Sequence, residues 1–163
     1  MRDVLAIDPG TTHSAYCLYD MDRSEIWESA KVDNFELRQM MLDGRLPYDI
    51  AVIEMIACYG MAVGKSVFET CVWIGRYNEI LQANAEVKMM FRREVKVNLC
   101  NSNKAKDGNV RQALIDRFPA TGGGRIPQIG TKAKQGPLYG FAGDMWAALG
   151  VAVTFQDQQR GVA

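Results

Sequence analysis

Residues 4–12 read Val-Leu-Ala-Ile-Asp-Pro-Gly-Thr-Thr, an apolar run that ends on Asp8 and turns at once through a proline and a glycine. An apolar strand that stops on a carboxylate and then turns displays that carboxylate at the edge of its sheet. Residues 49–54, Asp-Ile-Ala-Val-Ile-Glu, repeat the pattern and end on Glu54. If the two strands are parallel neighbours, both acids lie at the edge where open α/β sheets bind ligands. Two carboxylates held that close repel one another, so the pair predicts a divalent cation.

The length and composition are those of a globular protein. A chain of 163 residues is long enough for one domain with a substantial core, and it has no apolar stretch that would span a bilayer. Without a signal-peptide pattern, it is expected to be soluble and intracellular, with no membrane partner. Its four cysteines show no C-x-x-C spacing, so they are predicted to be reduced thiols rather than zinc ligands or disulfides.

The charge is unevenly distributed along the chain. The net charge is zero, yet residues 92–134 contain ten basic and three acidic residues, an excess of seven. The segment is either a set of solvated faces or a phosphate-binding face, and charge alone favours neither. Residues 119–140 form a long basic, glycine-rich connection that is predicted to be functional or disordered. Its Gly-Gly-Gly run lacks the lysine and hydroxyl residue of a phosphate loop.

Hydrophobic periodicity predicts the order of the elements. The predicted strands are 3–8, 14–19, 25–31, 49–54 and 87–91, the predicted helices are 34–42, 62–84, 110–118 and 144–155, and 94–99 is an element of unassigned type. An antiparallel meander, a crossover helix, a parallel strand, and a last helix that begins with Asp144 make up the ribonuclease H-like organisation. We therefore expect an α/β fold in which helices flank a mixed five-stranded sheet, with strands 1–3 antiparallel and strands 4 and 5 parallel. Residues 1–163 are expected to form a single ribonuclease H-like nuclease domain.

Four segments resemble the RuvC family of Holliday-junction resolvases, in the form carried by bacteriophages. They are Leu-Ala-Ile-Asp-Pro-Gly at 5–10, Val-Ile-Glu at 52–54, the helix from Gly64-Lys65 to Gly75-Arg76, and Gly-Asp-Met-Trp-Ala-Ala-Leu at 143–149. The resemblance covers nearly the whole chain, and the order and spacing of the motifs carry it.

The resemblance implies a homodimeric crossover junction endodeoxyribonuclease that cuts four-way DNA junctions, with forks and flaps as further branched substrates. It also implies two Mg²⁺ ions per active site, with Mn²⁺ as a substitute. Asp8 would bridge the ions, Glu54 would hold the ion on the side of the attacking water, and Asp144 would complete the other shell. The expected location is the cytoplasm, that of the host if the chain is phage-encoded.

One position departs from the family pattern. The family usually has an acid or a histidine three residues before the final aspartate, on the same helical face, and here that position is Phe141. Asp107 follows the fifth strand and is a possible fourth ligand. The competing interpretation is that Asp107 simply caps the next helix.

Most candidate DNA contacts lie in loops on the predicted acidic side, and Lys65 lies near the start of the long helix. Tyr59 is the loop aromatic nearest Glu54 and would stack on an unpaired base, although such a tyrosine often packs its own loop. The basic candidates are Lys65, Arg92, Arg93, Lys104, Lys106, Lys132 and Lys134.

Two alternatives remain open at the level of sequence. Residues 8–12 also resemble the first phosphate loop of actin, sugar-kinase and heat-shock ATPases, which require two such domains around the nucleotide. The other is a catalytically weak or inactive junction-binding protein of the same fold, which only Phe141 supports. Magnesium-dependent cleavage of a labelled junction separates these alternatives.

Overall fold

The computed structural model describes residues 2–161 as a five-stranded sheet with helices on both faces. The elements are β1 (Asp3–Asp8), β2 (His13–Asp20), β3 (Glu25–Asp33), α1 (Asn34–Leu42), β4 (Ile50–Met55), α2 (Lys65–Leu81), β5 (Glu86–Phe91), α3 (Arg92–Cys100), α4 (Asp107–Arg117) and α5 (Met145–Arg160). The strand order is β3-β2-β1-β4-β5. Strands β1 to β3 are antiparallel, β4 is parallel to β1, and β5 is parallel to β4. The predicted sheet is confirmed.

Side-chain alternation along β1 divides the core into two layers. Leu5 and Ile7 pack towards α1 and α2, whereas Val4 and Ala6 pack towards α3, α4 and α5. All four side chains are fully buried, as expected for a strand covered on both faces. α5 lies directly on the sheet and is buried almost all round, so it can hold its first turn in a fixed position over the end of β1.

Several helix boundaries differ from the prediction. α2 begins three residues later than expected, because the chain is still extended at its N-cap, Gly64. The unassigned segment is helical and forms α3. α5 continues five residues beyond the predicted end at Phe155. The apolar pattern stops there, but Gln156 is buried and accepts a hydrogen bond from the Tyr19 hydroxyl at 3.0 Å, so a polar residue continues the packed face.

The connection at 119–140 is folded on itself. The amides of Gly122, Gly123 and Gly136 donate to the carbonyls of Pro127, Lys134 and Ile129 at 2.8–2.9 Å. A β-carbon at Gly136 would lie 2.3 Å from the Pro127 oxygen, so only glycine fits there. The connection is therefore an ordered loop, and the disordered alternative is wrong. Within residues 2–161 there is no helix with both the length and the apolar character to cross a membrane.

Candidate metal centre

Asp8 and Glu54 lie at the same edge and on the same face of the sheet. β1 and β4 are parallel with Ile7 opposite Ile53, so the next residue on each strand is the acid. Asp8 has the strand parity of Val4 and Ala6, and Glu54 has that of Ile50 and Val52. Both carboxylates therefore project on the side covered by α5.

Asp144 reaches the same region from α5. It is the N-cap residue of that helix, but its side chain makes no capping hydrogen bond. Its Oδ2 instead accepts from the Lys31 ammonium on β3 at 2.6 Å. The hydrogen bond that Lys31 donates to Asp144 raises the pKa of Lys31, and both side chains are about half exposed. The carboxylate is thus held by a distant lysine rather than by the start of its own helix.

Burial and mutual repulsion raise the pKa of Asp8 to about 8. Burial is the largest cause, and the charges of Glu54 and Asp144 follow, so all three acids share one electrostatic site. Arg92 and Lys31 oppose the shift. Burial also raises the pKa of Glu54, against the charge of Arg92. A site that makes carboxylates this costly to ionise favours a cation beside them.

Arg92, the first residue of α3, pairs with two carboxylates, those of Asp107 and Glu54. Its Nη2 donates to Asp107 Oδ1 at 2.7 Å, and this hydrogen bond lowers the pKa of Asp107. Its Nη1 lies 3.8 Å from Glu54 Oε2, and both of these buried atoms lack a hydrogen bond within the described residues. Asp107 is the first helical residue of α4, and Lys106 is the N-cap, so the interpretation that Asp107 caps the helix is wrong.

Phe141 lies outside the last helix. Gly140 and Gly143 adopt left-handed conformations, with φ of 82° and 50°, and α5 starts only at Met145. The Phe141 ring packs on Trp146 with ring centroids 5.3 Å apart. The expectation that residues 141 and 144 share a helical face is therefore wrong, because the glycines break the helix before Asp144.

A buried polar network supports the turn that follows Asp8. The Asn34 side-chain amide donates to the Gly10 carbonyl at 2.9 Å, and the Ser14 hydroxyl donates to Asn34 Oδ1 at 2.6 Å. The Tyr77 hydroxyl lies 3.1 Å from the same Ser14 oxygen. A β-carbon at Gly10 would lie 2.3 Å from a backbone oxygen, so the turn requires glycine. Satisfied networks of this kind fix a backbone, here the backbone that aims Asp8.

The donor chemistry of this edge suits a divalent cation. Carboxylate oxygens are the ligands that Mg²⁺ and Mn²⁺ prefer, and Glu54 Oε2 is a buried acceptor with no hydrogen bond among residues 2–161. As they stand, no three His, Cys, Asp or Glu side chains in residues 2–161 converge closely enough to hold a metal. Lys31 and Arg92 already pair with Asp144, Glu54 and Asp107. The residues fit a metal provided that these two cations are released.

Two cavities adjoin the acidic edge and share Arg92. The larger, about 630 Å³, lies between α4 and the start of α5 and is lined by Asp107, Asp144 and Arg111 among others. The smaller, about 310 Å³, is lined by Tyr59, Arg92, Arg93, Lys96 and Asn103. Three of the predicted DNA contacts thus meet in one cavity.

The other predicted basic contacts are dispersed. Lys65 begins α2 and pairs with Glu69 at 3.4 Å. The lysines at 104 and 106 are exposed before α4, and those at 132 and 134 are exposed on the 119–140 loop. Sequence reasoning missed Lys31, Lys96 and Asn34. Lys96 lies within the basic segment, which was a usable signal, but nothing in the sequence marks Lys31 or Asn34.

Comparisons with known proteins identify the fold. No protein-family profile and no curated protein matches the sequence. The structure of Thermus thermophilus RuvC matches with a TM-score of 0.70 and 16% identity over 99% of this chain and 98% of that one. T. thermophilus RuvC in complex with Holliday junction substrate matches with a TM-score of 0.66 and 14% identity over 100% and 98%.

A third structure is more distant. A ROK family protein from Streptococcus pneumoniae TIGR4 in complex with sucrose gives a TM-score of 0.38 and 15% identity over 71% of this chain and 39% of that one. The two RuvC structures establish that the chain has the RuvC-like, ribonuclease H-like fold, as predicted from its motifs.

Proposed function

We propose that this chain is a divalent-metal-dependent endonuclease that resolves Holliday junctions and related branched DNA, acting in the cytoplasm. The observation that carries the proposal is the gathering of Asp8, Glu54 and Asp144 on one face of one sheet edge, in a chain with a RuvC-like fold throughout. Residues 1–163 would act as a single nuclease domain. The activity would be that of a crossover junction endodeoxyribonuclease.

Each acid would have a distinct role in holding the ions. The charges of Glu54 and Asp144 both act on Asp8, so Asp8 is the acid that two Mg²⁺ ions would share, with Mn²⁺ as a substitute. Glu54 and Asp144 would each complete one side, and Asp107, which already influences Glu54, would supply the fourth carboxylate that Phe141 does not. When bound, the ions would supply charge for in-line attack of water on a phosphodiester. The turn held by Asn34 would keep Asp8 aimed at the reacting phosphate.

The DNA would enter across the two cavities. Tyr59 is 64% exposed and adjoins the basic cavity, where its ring is available to stack on an unpaired base. Arg93, together with the lysines at 65, 104, 106, 132 and 134, would contact backbone phosphates. These contacts would give affinity without base specificity, because phosphates are common to every sequence.

A homodimer would place two such sites for paired incisions, and the outer face of α2 suits it. Phe68 and Val72 are 62% and 54% exposed, and Gly75 presents no side chain on the same face. An apolar helix face with a small residue permits close packing against a second copy. Pairing of one surface patch with itself is the usual form of a two-fold interface.

The charged residues on α2 can form ion pairs with those on α2 of a second copy. If two copies of the helix pack antiparallel about Val72, Lys65 lies opposite Glu79 of the other copy, since each is seven residues from the centre. Glu69 of one copy also faces Arg76 of the other, since the two residues lie three positions before and four positions after Val72. Val72→Glu should therefore yield a monomer in sedimentation velocity, whereas Gln159→Glu, exposed near the end of α5 on the other face of the sheet, should leave a dimer. A wild-type monomer at tens of micromolar would contradict the interface.

The test of the function is magnesium titration against cleavage of a labelled four-way junction. A linear duplex that contains the same sequences is the matched substrate, and Asp8→Asn is the matched protein. We expect cleavage of the junction by wild type only, with binding retained by the variant. Binding without magnesium-dependent cleavage would establish instead a non-catalytic junction-binding protein. Equal cleavage of junction and duplex would contradict structure specificity.

A further inference from the structure

Arg92 is shared by an acidic and a basic cavity. Towards the acids, it makes one short hydrogen bond, to Asp107 at 2.7 Å, and one longer ion pair, to Glu54 at 3.8 Å. The second contact satisfies neither atom, because Arg92 Nη1 and Glu54 Oε2 are both buried and both lack a hydrogen bond among residues 2–161. Buried polar groups are nearly always hydrogen-bonded, so this half of the guanidinium is poorly satisfied where it lies.

On its other side, Arg92 lines a cavity of about 310 Å³ whose wall, within the described part of the chain, includes no acidic residue. Arg93 and Lys96 supply two more positive charges, and Asn103 supplies an amide. The exposed Tyr59 ring closes one side, on a backbone with φ of 46° that non-glycine residues rarely adopt. Three cations and an aromatic ring around a space of this size suit a phosphodiester with its attached nucleoside.

We propose that the basic cavity binds a backbone phosphate of the DNA strand and that Arg92 turns from Glu54 and Asp107 to that phosphate. DNA binding would thereby free the carboxylates of Glu54 and Asp107 and open that side of the metal site. This inference rests on the proposed function and specifies how its site is controlled. Arg92 would be a positioning residue for the metal ligands, not a ligand itself.

The chemistry of arginine permits both positions. The guanidinium fork binds a carboxylate or a phosphate with similar two-pronged geometry, and its long side chain rotates between them. With the carboxylates of Asp8, Glu54, Asp107 and Asp144 all ionised, the acidic edge with Lys31 and Arg92 has a formal charge of −4 + 2 = −2. Without Arg92 the sum is −4 + 1 = −3, which attracts a divalent ion more strongly. Because linkage is reciprocal, the metal should raise the affinity for phosphate by the same factor.

The test measures Mn²⁺ binding from the free-ion signal in electron paramagnetic resonance, with and without a thymidine tetranucleotide. This probe has phosphodiesters and bases but no junction to cut, and the oligonucleotide with Mn²⁺ alone is subtracted. For wild type, we expect the tetranucleotide to tighten Mn²⁺ binding roughly tenfold. Arg92→Gln should bind Mn²⁺ roughly tenfold more tightly than wild type without the tetranucleotide, and the tetranucleotide should add no further gain.

Three further variants complete the test. Arg111→Gln removes the same charge from the wall of the larger cavity, where Arg111 lies 5.1 Å over the Trp146 ring, so it should keep the response to the tetranucleotide. Arg93→Gln should lose that response, because it weakens the phosphate site. Arg92→Lys keeps the charge but lacks the guanidinium fork, so the tetranucleotide should tighten its Mn²⁺ binding only partly. This variant replaces Arg92→Gln in the test if Arg92→Gln does not fold.

The outcomes separate this inference from the proposed function. The role of Arg92 would be overturned if Arg92→Gln bound Mn²⁺ no more tightly than wild type does, or if both proteins responded equally to the tetranucleotide. Either result would leave the nuclease proposal intact. Absence of Mn²⁺ binding in wild type with and without the tetranucleotide would overturn both.

Discussion

Replacing Asp8 with asparagine should stabilise the metal-free protein at alkaline pH. The pKa of Asp8 rises from its ordinary value of 3.8 to about 8 on folding, mainly through burial and then through Glu54 and Asp144. A carboxyl with a raised pKa keeps its proton in the folded state after the unfolded chain has lost it. Stability therefore falls as the pH rises from about 4 to about 8, and the penalty is complete above that range. Asparagine carries no charge and escapes the penalty.

The magnitude follows from the size of the shift. About four pH units at roughly 1.4 kcal/mol each give an upper bound of about 6 kcal/mol. Asp8 is only partly buried by surface area, and water in the cleft screens part of the repulsion, so we expect a gain of about 2–4 kcal/mol at pH 8.5. Near pH 4 the two proteins should differ little. Magnesium should remove most of this difference at pH 8.5, since it would stabilise wild type by about 2.7 kcal/mol at roughly a hundredfold excess over Kd.

The assay is urea unfolding at pH 4.5 and 8.5, in chelator and then in magnesium. Asp116→Asn on the exposed face of α4 is the matched control, and it should shift stability by less than about 0.5 kcal/mol. Equal stabilities of wild type and Asp8→Asn at pH 8.5 in chelator would refute the repulsion argument. Equal stabilisation of both proteins by magnesium would refute Asp8 as a ligand.

Three further predictions concern other parts of the site. Replacing Lys132 and Lys134 together with alanine should make the junction-binding constant depend less on salt: the slope of its logarithm against the logarithm of salt concentration should fall by roughly 0.9 for each DNA phosphate that the loop no longer neutralises. An unchanged slope would show that the two lysines are solvated and do not contact DNA. Asn34→Ala should cost about 1–3 kcal/mol in urea unfolding, because it breaks two buried hydrogen bonds beside Gly10; a neutral result would show that the turn needs no network. Phe141→Asp should lower the melting temperature without lowering the magnesium concentration for half-maximal cleavage, because Phe141 packs on Trp146 outside the helix. A lower magnesium concentration in a well-folded variant would show instead that an acid at position 141 can serve as a metal ligand.

The position of Asp8 and Glu54 at one edge of the sheet was predictable, because the local strand pattern and the order of the elements agree there. Asp8 and Glu54 each end an apolar run, and strand parity then fixes which face they share. Asp144 was predictable from the order of the elements. Its surroundings were not, since Lys31 lies 113 residues away and no sequence pattern joins the two.

Other features depended on backbone geometry that periodicity does not reveal. Phe141 was singled out because it lies three residues before Asp144, where the family pattern has a ligand on the same helical face, but left-handed glycines at 140 and 143 keep it outside the helix. Arg92 was predicted as a DNA contact from its charge alone. Its position beside Glu54 and Asp107 depends on the packing of α3 against α4, which sequence does not specify.

The central claim is that three acids act as one metal-dependent unit. Single-turnover cleavage of a four-way junction in magnesium tests it directly, with Asp8→Asn, Glu54→Gln and Asp144→Asn made singly and together. Each single variant should lose at least about a hundredfold in rate, more than the removal of a residue that only supports a ligand would cost, and the triple variant should lose little more because the residues work together. Cleavage at the wild-type rate by any one of them, with junction binding intact, would contradict the account.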